Sequence, residues 1–172
     1  MMQNPFELFD LPLAFKLDLS ALNARYLQLQ KAHHPDNFAT ASKAEQLNAV
    51  QRTADINEAY HTLKNPLLRA QALLQWAGGD AWDGEQTVHD SDFLLSQLSL
   101  REQLAEVEQS RDETALCALR DENDKIYTDA MRELESAVDN RHWSEAKRFL
   151  NRLKFIEKFQ RDVDALEEQF YD

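Results

Sequence analysis

Apolar residues recur at steps of three and four along most of the chain, the period of amphipathic helices rather than of strands. Asn4-Pro5 opens the first segment, because proline suits a first helical position, and Phe6 and Phe9 then face inward. Asp18 or Ser20 can cap a second helix. Its Leu19, Leu22, Tyr26 and Leu29 form a candidate buried stripe. Pro35 must end that helix, since the residue before a proline is pushed out of the α region. The pattern resumes from about Ser42 to Lys64, with Leu47, Val50, Ile56, Ala59, Tyr60 and Leu63 as candidate core residues. Asn65-Pro66 interrupts it, and a short helix with Leu67, Ala70, Leu73 and Leu74 follows. Further on, the spacing predicts helices over 91–109, 112–139 and 142–170. Leu116, Leu119, Ile126, Ala130, Leu134 and Ala137 mark the second of these, and Ala146, Phe149, Leu153, Ile156 and Val163 the third.

The three glycines, Gly78, Gly79 and Gly84, fall within seven residues of one another. They mark the strongest break in the pattern. We therefore divide the chain into 1–77, a linker over 78–90, and 91–172. An antiparallel three-helix bundle is the simplest way to bury the faces after the break. With few glycines and prolines and no β-branched runs, the composition agrees with an all-α protein.

Charge sharpens the division. Residues 1–77 hold seven Lys/Arg and seven Asp/Glu, while 78–172 hold 12 and 24, so the whole net charge of -12 lies in the second part. That balance argues against nucleic acid and anionic membrane as partners, since both reward basic surfaces. The N-terminus lacks the basic and apolar regions of a signal peptide, and no window approaches a membrane span, so a cytoplasmic protein is expected. The lone Cys117, beside Leu116 and Leu119, is expected to be a buried thiol.

The candidate chemistry sits between the second and third helices, at His34-Pro35-Asp36. Helices joined by a short loop usually lie antiparallel, which would display this tripeptide at a hairpin tip. Pro35 stiffens the turn, His34 can donate or accept a hydrogen bond, and Asp36 brings a charge that an arginine could pair bidentately. The plainer alternative is that Asp36 caps the next helix and His34 merely ends the previous one. A metal site of His33, His34 and Asp36 is disfavoured because adjacent helical histidines point about 100° apart. No H-x-x-x-H or C-x-x-C spacing helps it, and no nucleophile elbow or phosphate loop supports an enzyme.

The helix expected over 91–109 has two apolar faces. Phe93, Leu100, Leu104 and Val107 project within about 60° of one another, whereas Leu94, Leu95 and Leu98 centre about 150° away, flanked by Glu102 and Glu106. One three-helix core cannot take both sets. The second set forms either a binding patch rimmed by carboxylates or a dock for the N-terminal domain. Phe155, about 100° from Ile156, fits an exposed position, although Phe159 and Leu166 near its face fit a core one.

Taken together, His34-Pro35-Asp36, the preceding Tyr26 and Leu29, and the following Ile56-Asn57-Glu58-Ala59-Tyr60-His61-Thr62-Leu63 resemble a J domain. The segments Leu63–Ala70 and Phe93–Glu102 resemble its HscB (Hsc-twenty) branch, so that the likeness spans nearly the whole chain. The resemblance implies a co-chaperone with no cofactor and no catalysis of its own. It would bind an HscA-type ATP-dependent chaperone of the DnaK superfamily through His34, Pro35 and Asp36, assisted by Arg25 and Lys31. It would bind the iron–sulfur scaffold IscU through Leu94, Leu95, Leu98, Glu102, Glu106 and Phe155. Three positions depart from the pattern: Ala32-His33 replaces a basic-aromatic helix end, and Ser99 stands in place of an acidic residue.

Overall fold

The computed structural model describes residues 4–78 and 90–171, and the chain divides into two compact units, 1–82 and 83–172. Among the described residues every regular element is helical, and no helix is long and apolar enough to cross a membrane. Most of the linker expected over 78–90 lies outside the described residues.

The first unit contains α1 (Pro5–Leu8), α2 (Leu19–His33), a 3-10 turn (Pro35–Phe38), α3 (Lys43–Lys64) and α4 (Pro66–Ala77). Each start is set by a side chain that takes up orphan N–H groups. Asn4 Oδ1 accepts from the Phe6 N–H at 3.0 Å, and Asp18 Oδ1 from those of Ser20 and Ala21 at 2.8 and 3.1 Å. Ser42 and Glu45 form a reciprocal capping box on α3. Asn65 Oδ1 serves Leu67 and Leu68 at the head of α4, where Pro66 occupies the first helical position. Phe6, Phe9, Leu22, Ile56, Leu63, Leu73 and Leu74 are fully buried and make the core. The buried Arg69 lies 5.0 Å over the Phe15 ring and donates to the Leu63 carbonyl at 2.7 Å, closing the end of α3.

Three expected core residues are exposed instead, and Tyr26, Leu29 and Tyr60 are only half-buried. Leu47 and Val50 are 69% and 54% exposed, and Ala49 is buried in their stead. At about 100° per residue, the line Ala49, Ile56, Leu63 is inward, leaving Val50 turned about 100° and Leu47 about 160° away. Leu19, the first residue of α2, is likewise 47% exposed.

The second unit is a three-helix bundle of α5 (Ser91–Ser110), α6 (Glu113–Asp139) and α7 (Trp143–Tyr171). Leu100, Val107, Leu116, Leu119, Phe159, Val163 and Leu166 form one buried cluster, with Leu104 and Ile126 half-buried against it. Both reversals turn on a left-handed arginine, Arg111 (φ 54°) and Arg141 (φ 58°). At the second, the His142 N–H reaches the Ala137 carbonyl at 2.8 Å and that of Arg141 reaches Val138 at 3.0 Å, a Schellman closure. Cys117 is exposed, contrary to expectation, because one helical step turns it about 100° from the buried Leu116.

Candidate functional site

The HPD loop is built by ending α2 abruptly. His34 is extended (φ −59°, ψ 132°), as a residue before proline must be, and Pro35 then starts the 3-10 turn. The last carbonyls of α2 lose their helical partners, and side chains from beyond the loop replace them. Asn37 Nδ2 donates to the Lys31 carbonyl at 2.8 Å, and the Thr53 hydroxyl on α3 lies 3.0 Å from that of His33 and 2.9 Å from that of Ala49, sharing its one proton between them. Gln46 Nε2 donates to the carbonyls of Ala39 and Ala41 on the far side. The tripeptide is thus anchored on both flanks.

Its side chains remain available. His34 Nδ1 accepts from the Asp36 N–H at 3.2 Å, which places the proton of a neutral ring on Nε2 and leaves that N–H free to donate outward. The His34 side chain is 57% exposed and that of Asp36 90%. Asp36 does not cap α3, because Ser42 does, and the plainer alternative for this residue fails. Lys31 is exposed on the last turn of α2. Arg25 lies further back and is ion-paired with Asp10. Among the described residues no cluster of three or more His, Cys, Asp or Glu side chains could hold a metal ion.

Hairpin rigidity behind the loop comes from the α2–α3 seam. The Tyr60 hydroxyl donates to Asn23 Oδ1 at 2.6 Å and that of Tyr26 to Asn57 Oδ1 at 3.0 Å. Asn37, Gln46, Thr53 and Asn57 were not legible as contributors from sequence, where each reads as an ordinary polar residue. Asn37, one position past the tripeptide, carried the nearest thing to a signal, since asparagine side chains often bond nearby backbone.

The second candidate surface lies on α5. Phe93, Leu100 and Val107 are buried, while Leu94, Leu95 and Leu98 are 39%, 64% and 54% exposed. Glu102 and Glu106 are exposed too. Leu94, Leu98, Glu102 and Glu106 follow one another at steps of four, forming a ridge that passes from apolar to acidic. Phe155 on α7 is 39% exposed, and its ring meets that of Phe93 edge to face, with centroids 6.2 Å apart. That contact brings Phe155 beside the first turn of α5. Six side chains predicted as one site therefore fall on two neighbouring helices of a single unit.

A helical hairpin carrying an anchored, exposed HPD loop, joined in one chain to a three-helix bundle, defines a J-domain co-chaperone. Residues 89–164 match the family model described as the HSCB C-terminal oligomerisation domain. The chain is 40% identical over 172 residues to the co-chaperone protein HscB homolog of Haemophilus influenzae, covering 99% of each. It is similar in structure to chaperone HscB from Vibrio cholerae (TM-score 0.85, 41% identity, 98% of this chain and 99% of that one). The human co-chaperone HscB is similar at TM-score 0.84 and 27% identity, over 96% of this chain and 82% of that one. The chain belongs to the HscB family, the J-domain co-chaperones of iron–sulfur cluster assembly. The Haemophilus influenzae and human relatives are named as co-chaperones.

Proposed function

We propose that this chain is a two-ended adaptor that carries an IscU-type iron–sulfur scaffold to an HscA-type chaperone and stimulates that chaperone's ATPase. Residues 1–77 face the chaperone and 91–172 hold the scaffold, with 78–90 between them. At the chaperone end, Pro35 keeps the turn stiff, His34 offers a hydrogen bond, and the Asp36 carboxylate is open to a bidentate arginine. Lys31 and Arg25 add positive charge along α2. ATP is hydrolysed in the partner, and this chain supplies no cofactor.

The scaffold end rests on one observation: Leu94, Leu95, Leu98 and Phe155 are held in water by helices that bury their other apolar faces. Covering such side chains contributes up to about 1.5–3 kcal/mol each when burial is complete. The flanking Glu102 and Glu106 favour a partner with basic groups at the rim. Engaging both proteins at once turns the encounter of client and chaperone into an intramolecular one, at an effective concentration that reaches roughly millimolar for short linkers.

Isothermal titration of folded scaffold and, separately, of an unfolded model chain tests the reading. Folded scaffold binds wild-type protein and loses affinity with Leu94→Ala, Leu95→Ala or Leu98→Ala. Preference for the unfolded chain, insensitive to these changes, would instead favour a J-domain co-chaperone for a different client.

A further inference from the structure

Asp90 stands at the N-cap of α5 and makes no capping hydrogen bond to it, although aspartate is among the best residues for that task. Its carboxylate, only 11% exposed, is turned instead to Arg152 on α7. Arg152 Nε donates to Asp90 Oδ2 at 2.6 Å, and Nη2 contacts the same oxygen. The guanidinium carbon lies 5.1 Å from the centre of the Phe93 ring and 5.4 Å from that of Phe149. Arg152 therefore fills an aromatic slot made by both helices, where stacking and the ion pair act on one planar group.

The position of this clamp matters more than its strength. Leu94 follows Phe93, and Phe155 packs on the same Phe93 ring from α7. The last turn of α5 is tied to α6 by the Arg111 reversal, and the Arg152–Asp90 pair acts at the opposite end of the helix. A second ion pair joins the same two helices eleven positions along α5, Arg101 to Asp162 at 3.0 Å, with both side chains more than a third exposed. Such exposed pairs contribute little. The Arg152–Asp90 pair is the more sheltered of the two, and it lies level with the exposed leucines.

We infer that Arg152 is a positioning residue of the scaffold-binding surface: through Asp90 and Phe93 it fixes the first turn of α5 against α7, so that Leu94 and Phe155 present one continuous apolar surface. This rests on the reading that Leu94, Leu95, Leu98 and Phe155 receive the scaffold.

The test is a double-mutant cycle on the full chain, titrated with folded apo scaffold. Arg152→Met, which keeps the aliphatic packing, weakens binding about tenfold, as does Asp90→Asn, and the double variant is no weaker than either alone. Arg152→Lys recovers part of the loss, and Arg101→Met leaves affinity unchanged. Amide exchange accelerates over 94–98 in Arg152→Met and stays slow in the middle of α6 and α7. Leu98→Ala is run alongside. If it abolishes binding while Arg152→Met binds like wild type, the positioning role is overturned and the scaffold surface stands. If Leu98→Ala also binds like wild type, the scaffold reading itself fails. Equal losses from Arg152→Met and Arg101→Met, with exchange accelerating throughout the bundle, would mean general destabilisation and would also overturn the inference.

Discussion

Tyr26 and Tyr60 stack nearly face to face across the α2–α3 seam, with ring centroids 4.0 Å apart and planes 15° from parallel. Each ring also hydrogen-bonds to the opposite helix, so the pair acts as a rivet behind the HPD loop. Tyr60→Phe keeps the stack and loses the bond to Asn23, at a cost of about 0.5–1 kcal/mol. Tyr60→Ala loses both, at about 2 kcal/mol. Urea unfolding of the two variants against wild type checks the order. Equal costs would mean that the stack contributes nothing.

The bond from Thr53 to the end of α2 links loop geometry to function. Thr53→Val preserves shape and leaves the His33 carbonyl without that partner, costing about 1 kcal/mol. Stimulation of the chaperone falls while scaffold affinity is unchanged, because the bundle is untouched. Parallel ATPase and titration measurements separate these effects, and a loss of scaffold affinity would contradict the assignment.

Acid sensitivity of the bundle has an identifiable source. Arg120, on α6, donates to Glu167 on α7 at 2.9 Å, and this bond holds the Glu167 carboxyl below the usual carboxylate range. A depressed folded-state pKa contributes stability that is present above the unfolded value, about 4.3, and is lost as pH falls through the folded one. Glu167→Gln removes that contribution, so its stability falls less steeply below about pH 4.3 than that of wild type. Melting temperatures between neutral and strongly acidic pH read the difference, and identical acid limbs would contradict it.

Cys117 is exposed on α6. A maleimide therefore labels the native protein to one equivalent without denaturant, and labelling leaves the melting temperature within about a degree, as for a surface substitution. Labelling that requires urea would place the thiol in the core.

The helices were legible because each buries a stripe whose period survives in sequence, and their caps are strong local signals. The HPD loop and the second apolar face of α5 were legible for the same reason: a proline stop, and two apolar sets that one core cannot hold. Leu47, Val50 and Cys117 were misplaced by reading apolar neighbours as a stripe, when one helical step separates a core position from an exposed one. Side-chain bonds across the fold left no local trace. Asp90 stands just before α5, and its partner Arg152 lies 62 residues away. Thr53, 20 residues from His33, is equally silent in sequence.

Steady-state ATP hydrolysis by the cognate HscA-type chaperone tests the central claim most directly. It is measured with wild-type protein and with His34→Gln, each in the presence and absence of the IscU-type scaffold. The account predicts stimulation by wild type, further increase with scaffold, and loss of both with His34→Gln. Absence of stimulation by folded wild-type protein in every combination, or undiminished stimulation by His34→Gln, would contradict it.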